Sequence, residues 1–358
     1  MKNKILTITF SIFIASIFII NLVTPDQELS YTERRYLKKL PDINITNLID
    51  GTITNNFESY ALDHFIFRDN LRSLKSYINL FVLKKQDNNE LYYKDNHIFK
   101  IEYPLKENKV INFANKMNYL YDNYLTNMNV YYSIIPDKNY YSNTSHLKLD
   151  YQELFLLVNN HINQNIKYID ITESLQLNDY YYTDIHWRQQ NLTKVVQTLS
   201  TNMNFSVTSN YQENKYYPFY GTYYGQLALN VKPDELIYLT NDTILNATVN
   251  DIESDTTEIY EVESLGKMDS YDVYLSGATP IIEITNNSSL TDKELIIFRD
   301  SFASSLAPLL LEGYHKITLI DTRYINASLI KNYITFTNQD VLMLYNTTII
   351  NNSDMLKN

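Results

Sequence analysis

The last third of the chain alternates short apolar runs with helix-length stretches, and few architectures accept that rhythm. Glu294-Leu295-Ile296-Ile297-Phe298 reads as a strand and Ala303 to Glu312 as a helical stretch. Lys316 to Ile320 is the next strand, closed by Asp321, and a short helix near 326–333 and a strand from Val341 to Tyr345 follow. Strands alternating with helices of this length build right-handed βαβ units, so the spacing predicts a mainly parallel sheet flanked by helices. The rhythm begins earlier in the chain. A helical pattern over 107–126 precedes Val130-Tyr131-Tyr132-Ser133-Ile134-Ile135, an apolar run closed by Pro136-Asp137. A helix over 148–163, a strand from Lys167 to Ile171 and a helix over 189–203 come next. Between the two α/β halves, 205–290 is rich in Tyr, Thr, Asn and Asp with short alternating runs, and reads as a largely β insertion. The fold class is α/β.

The N-terminus sets the location. Ile5 to Val23 is an uncharged run of 19 residues, 14 of them apolar, preceded by Lys2 and Lys4. That is about the length needed to cross a bilayer core. No small-x-small cleavage site follows in Asn21-Leu22-Val23-Thr24-Pro25, so an uncleaved anchor is preferred over a removed signal peptide. Arg34, Arg35, Lys38 and Lys39 outnumber Lys2 and Lys4 in the window that governs topology. Long downstream domains nevertheless translocate, and the body is expected outside the cytoplasmic membrane. The organisation expected is an anchor over 1–25, a stalk with a membrane-proximal helical segment over 26–105, and a catalytic domain over 106–350. Within 57–83, Phe57, Tyr60, Ala61, Phe65, Leu71, Leu74, Ile78 and Phe81 fall near helical spacing.

Composition narrows the chemistry. The 358 residues carry 30 Lys+Arg against 41 Asp+Glu, a net charge of −11, which argues against nucleic acid as a partner. The six glycines fit neither common phosphate-binding motif, the chain has no cysteine, and its six histidines include no H-E-x-x-H. Hydroxyl, carboxylate and imidazole chemistry remain, or no chemistry at all; the reading below requires no metal or diffusible cofactor. The 33 tyrosines fit codon drift in an AT-rich genome, or rings that stack on sugars; composition leaves both open.

Open parallel sheets place ligands at the carboxyl ends of strands, and two segments could carry chemistry there. In Thr183-Asp184-Ile185-His186-Trp187 a carboxylate two residues from an imidazole can take its Nδ1 proton and leave Nε2 as a base. The bland alternative is a loop histidine with a local hydrogen bond; Trp187, the single tryptophan, raises the signal. In Phe298-Arg299-Asp300-Ser301-Phe302-Ala303 a strand ends in Asp-Ser as a helix begins, which exposes a serine beside helix N–H groups. Asp and Ser are also ordinary helix caps. A serine needs a base held by a third group, and His186 backed by Asp184 is the histidine whose surroundings supply one.

Thr-Asp-Ile-His-Trp, with an Asp-Ser-Phe turn about 115 residues later, resembles the DHHW proteins, relatives of SGNH-hydrolase-like O-acetyltransferases of the alginate-acetylation type. The anchor, Glu33-Arg34-Arg35-Tyr36-Leu37, Asp63-His64-Phe65 with Arg68-Asp69, Pro136-Asp137-Lys138 and Asp321-Thr322-Arg323 extend the resemblance over most of 30–345. It implies an SGNH-like sheet with Ser301 as nucleophile, His186 as general base and Asp184 orienting it. The Ser301 amide would serve in the oxyanion hole. The Asp-x-His segment precedes the serine, as in that family and opposite to the usual SGNH order. The usual Gly-Asp-Ser is here Arg299-Asp300-Ser301, and no motif identifies the other oxyanion donors. Gly221, Asn346, Trp187 and Arg323 are the candidates for oxyanion or substrate contacts, Trp187 as lining for a sugar groove. The resemblance further implies a polysaccharide acceptor and a multispanning membrane acyltransferase as acetyl donor. Esterase action with water as acceptor, and a non-catalytic cell-surface assembly protein with Ser301 as a cap, are the competing readings.

Overall fold

A computed structural model describes residues 2–42, 45–208 and 210–357. The chain divides into two compact units, Met1–Asn89 with Tyr224–Val231, and Glu90–Tyr223 with Lys232–Asn358.

The first unit starts with α1 (Lys2–Val23), long and apolar enough to cross a membrane and exposed along its length. The expected helical stretch over 57–83 is two helices, α2 (Thr52–Asp63) and α3 (Arg68–Tyr77), continued by a wider π turn over Ile78–Val82. Charge holds this unit together. Arg35 grips Asp63 with both of its terminal nitrogens, Arg68 bonds Glu33, and Arg72 lies 3.2 Å from the same Glu33. Arg35 keeps the Asp63 carboxyl well below its usual range, at about 2, against the opposing effect of its burial. The segment 224–231 belongs here because its carbonyls take α3 donors: Arg72 Nη2 bonds Gly225 O at 2.7 Å and Ser76 Oγ bonds Leu227 O.

The second unit begins with the hairpin of β1 (Leu91–Lys94) and β2 (His97–Lys100). This unit starts at Glu90, earlier than the 106 read from sequence. The hairpin is stitched in by Ile98 N–H to Tyr182 O at 2.8 Å and Tyr92 OH to Asn139 Oδ1 at 2.7 Å. After α4 (Glu107–Leu120) come β3 (Asn129–Ile135), α5 (Tyr151–His161), β4 (Lys167–Tyr168) and α6 (Thr193–Met203). The Asp150 carboxylate caps α5 by accepting the Glu153 N–H. Within 205–290 lie the hairpin β5 (Gln212–Phe219) with β6 (Asp234–Thr240), then β7 (Thr248–Asp251) and β8 (Ile281–Thr285). The last segment supplies β9 (Glu294–Arg299), α7 (Ala303–Leu306), β10 (Lys316–Ile320), β11 (Asp340–Asn346) and α8 (Thr347–Asn351).

Seven strands form one sheet in the order β4-β3-β11-β9-β10-β8-β7. The five from β4 to β10 are parallel, as the spacing predicts, and β8 and β7 extend the β10 edge antiparallel. The β-rich stretch therefore builds part of the main sheet. Both faces are covered: Leu295, Ile297, Leu342 and Leu344 pack on one, Ile296, Phe298, Val341 and Met343 on the other. Burial on both faces explains why these strands read as unbroken apolar runs. The helix expected over 303–312 is α-helical for one turn and then 3-10 from Ala307 to Gly313. Pro308 has no N–H to donate to the carbonyl four residues back, and the α ladder stops there.

Candidate active site

Because β3, β11 and β9 are adjacent and parallel, their carboxyl ends bring Lys138, Asn346 and Ser301 to one edge of the sheet. Ser301 is partly exposed in the turn after β9. Its Oγ lies 2.8 Å from His186 Nε2, and His186 Nδ1 lies 2.6 Å from Asp184 Oδ1. Asp184 is fully buried and His186 nearly so. With Nδ1–H donated to the carboxylate, Nε2 is left to accept the serine proton. The carboxylate is itself fixed by the amides of His186, at 3.0 Å, and Thr222, at 2.7 Å.

The turn is shaped by Asp300. Its Oδ1 accepts the Phe302 N–H at 3.0 Å and its Oδ2 accepts the Asn346 N–H at 2.6 Å, tying the ends of β9 and β11 together. Burial pushes its carboxyl above the usual range. Arg299, in the place of a glycine, is also fully buried and donates from Nη1 to Ser304 Oγ at 2.8 Å. The Ser301 amide has no acceptor among the described residues, which leaves it free to meet an oxyanion on the substrate.

The structure places the other four candidates in internal contacts. Trp187 is 0 % exposed, and its indole Nε1–H is shared between Phe302 O at 3.1 Å and Ser305 Oγ at 2.9 Å. It cannot line a sugar groove; it clamps the serine turn to the histidine loop. Gly221 gives its N–H to Thr183 Oγ1 at 2.9 Å and so offers no oxyanion donor. Its role is spatial, since a Cβ there would fall 2.2 Å from Asp184 Cβ. Asn346 donates its side-chain amide to Ile135 O at 3.0 Å and accepts the Thr348 N–H at 2.9 Å, capping α8. Arg323 is turned onto Asp321, with Nε at 2.9 Å from Oδ1 and Nη2 at 2.6 Å from Oδ2.

Three further groups at the site lie outside the sequence candidates. Tyr271 lies flat on His186, ring centroids 3.8 Å apart and planes 7° from parallel, and its OH donates to Ser305 Oγ at 2.9 Å. Lys138 is buried under the 181–184 loop, where Nζ donates to the carbonyls of Tyr181 (3.0 Å), Tyr182 (3.3 Å) and Asp184 (2.8 Å). Burial brings its ammonium down to about 7, against the pull of Asp234 and Asp184. Asp234 holds the other side of the loop, accepting the amides of Tyr182 and Thr183, the Thr183 hydroxyl and Arg188 Nη2, all within 2.8 Å. The signal for Lys138 was its place straight after an apolar strand; Asp234 and Tyr271 gave none. Among the described residues no group of three or more His, Asp or Glu is placed to hold a metal ion.

No protein-family model matches the chain, and no curated protein matches it. Solved structures do. A DHHW family protein from Eubacterium siraeum superposes with a TM-score of 0.64 at 18 % identity, covering 76 % of this chain and 97 % of its own. Bacillus cereus PatB1 superposes at 0.59 and 18 % identity, covering 73 % and 96 %, and a second PatB1 structure carries a sulfonyl adduct. The O-acetyltransferase domain of Pseudomonas putida AlgJ reaches 0.42 at 10 % identity, too distant to weigh. The chain thus has the fold of a DHHW family protein and of PatB1.

Proposed function

We propose that the chain is a membrane-anchored, extracytoplasmic O-acetyltransferase that loads an acetyl group on Ser301 and passes it to a hydroxyl of a cell-surface polysaccharide. The observation that carries the chemistry is the unbroken relay from Ser301 Oγ through His186 to Asp184. In the first half-reaction Oγ attacks the acetyl carbonyl while its proton moves to His186 Nε2. Asp184 stabilises the imidazolium and the Ser301 amide faces the oxyanion. Collapse forms the Ser301 acetyl ester and returns the proton to the departing group. In the second half a sugar hydroxyl gives its proton to Nε2 and attacks the ester, and collapse restores the serine. The acetyl group, the polysaccharide and a multispanning membrane acyltransferase as donor rest on the resemblance to DHHW proteins and the fold shared with one. α1 would hold the body at the outer face of the membrane.

The test uses acetyl release from a chromogenic ester, with covalent labelling by a sulfonyl fluoride read by mass spectrometry. Ser301→Ala and His186→Ala should each lose turnover by about a thousandfold or more, and the label should sit on Ser301. Addition of an acetylatable oligosaccharide should then divert acetyl from water to sugar. Absent labelling together with absent turnover would return the chain to the non-catalytic reading, and labelling without sugar product would make it an esterase.

A further inference from the structure

The turn between α2 and α3 has no part in the chemistry, yet it exposes aromatic rings beside the end of the apolar helix. The Ile66 N–H donates to Asn21 Oδ1 at 2.9 Å, and Asn21 lies in the last turn of α1, its own amide bonded back to Ile17 O. Tyr60 OH donates to the Asp26 carboxylate at 2.9 Å, and His64 Nδ1 lies 3.6 Å from it. His64 Nε2 donates to Lys38 O. The turn is therefore strapped to the base of α1, and the ion pairs of Arg35, Arg68 and Glu33 brace it from behind.

Asn21 precedes the end of α1 by two residues, about 3 Å at a helix rise of 1.5 Å per residue. A helix of this length has little excess over the hydrocarbon core, so its last turn lies at the boundary between acyl chains and headgroups. The Ile66 amide lies at the same level. Phe65 is 39 % exposed, Phe67 71 % and Leu62 60 %. Phe67 also has φ +57, a left-handed conformation that a bulky residue adopts only when its surroundings impose it. The ring is nevertheless presented outward.

We propose that the Leu62–Phe67 turn is a second membrane contact, seated in the leaflet where α1 ends, with the Phe65 and Phe67 rings at the headgroup boundary. Aromatic and aliphatic side chains are favoured at that depth. Together with α1 it makes a two-point mount that fixes the orientation of the membrane-proximal helices. The proposal rests on α1 spanning the bilayer.

The test is the full-length chain in phosphatidylcholine vesicles carrying Phe67→Trp, with Phe10→Trp on α1 as the reporter of anchor insertion. Trp187 is buried and supplies a constant background that the unsubstituted chain measures. Lipid brominated high on the acyl chain should quench Phe67→Trp at least about twofold, with blue-shifted emission and loss of acrylamide quenching. Phe65→Trp should behave alike. Quenching of Phe10→Trp with Phe67→Trp still open to acrylamide overturns the membrane contact alone. Failure of both reporters removes the anchor and the proposal together. A Phe67→Trp shielded from acrylamide yet insensitive to brominated lipid means that protein covers the turn, and also overturns it.

Discussion

The two halves of the Ser301–His186–Asp184 relay are built in opposite ways. Ser301 stands in a short turn directly after a central parallel strand, and its position follows from β9 and from two backbone amides gathered by Asp300. His186 and Asp184 stand in a loop with little regular structure, and that loop is held by side chains from far away in the sequence: Lys138 on its carbonyls, Asp234 on its amides, Gly221 against its back. The nucleophile is placed by backbone topology, whereas the base is placed by a buried polar network. A network of that kind is strong when every member is satisfied and weak when one is lost.

The largest expected contrast compares two buried carboxylates, one from each half. Asp184→Asn should cost turnover about a thousandfold or more, because the amide cannot stabilise an imidazolium on His186. Asp300→Asn should instead lower stability by about 1–3 kcal/mol, since an amide has one oxygen for two N–H groups and its own N–H then faces one of them. Turnover per folded molecule should stay within about tenfold. Acetyl-ester kinetics and denaturant unfolding on the same preparations separate the two. Equal losses of turnover would mean that the turn needs side-chain support as much as the loop does.

Gly221→Ala strikes the loop by sterics alone. Its Cβ would overlap Asp184 Cβ at 2.2 Å and the Asp184 backbone at 2.4 Å, so the loop or the 220–223 segment must move. Overpacking of this kind costs about 1–3 kcal/mol, and turnover should fall at least about tenfold because His186 moves with Asp184. Unchanged kinetics would show that the loop tolerates displacement.

Lys138 gives the network a pH signature. Its amine holds a proton less tightly folded, with a pKa of about 7, than unfolded, near the ordinary 10.5. Between those values the unfolded chain binds more protons, so stability rises with pH across the window. From pH 7 to pH 9 the gain from this group is about 2 kcal/mol. Lys138→Met should remove that slope from denaturant unfolding curves and, by releasing three carbonyls, lower turnover as well. A variant with the unsubstituted chain's slope would show that the loop is not carried on a half-charged amine.

The same contrast decides what could be read from the chain. The central strands, the serine turn and the Asp-x-His pair were legible because each is local: an apolar run, a strand-to-helix junction, two residues at i and i+2. Their support was not. Asp234 and Tyr271 lie in the Tyr- and Asn-rich stretch read as an insertion, with nothing nearby to mark them, and they meet the site only through the fold. Trp187 stands out in the sequence yet lies in the core, because an aromatic beside such a histidine reads equally well as groove lining or as core. The antiparallel edge is not legible because β7 and β8 are half-polar strands, β7 pairing with β8 and β8 pairing with β10, which is shared with the parallel set.

Trp187 is where the two constructions touch, and it offers the smallest and most specific test. Its indole N–H reaches Phe302 O and Ser305 Oγ on the serine side while its backbone continues the histidine loop. Trp187→Phe keeps most of the ring and deletes the donor, so the cost should be about 1 kcal/mol, a lost hydrogen bond with little lost packing. Ser305→Ala removes the partner from the other side and also deprives Tyr271 OH of its acceptor. If the indole couples the halves, the double variant should lose less stability than the sum of the single variants by about 0.5–1 kcal/mol. The same cycle on turnover should show coupling of the same sign, because His186 Nε2 and Ser301 Oγ keep their 2.8 Å contact only while loop and turn stay in register. Strict additivity in both readouts would mean that topology alone holds the relay together and that the indole merely fills space.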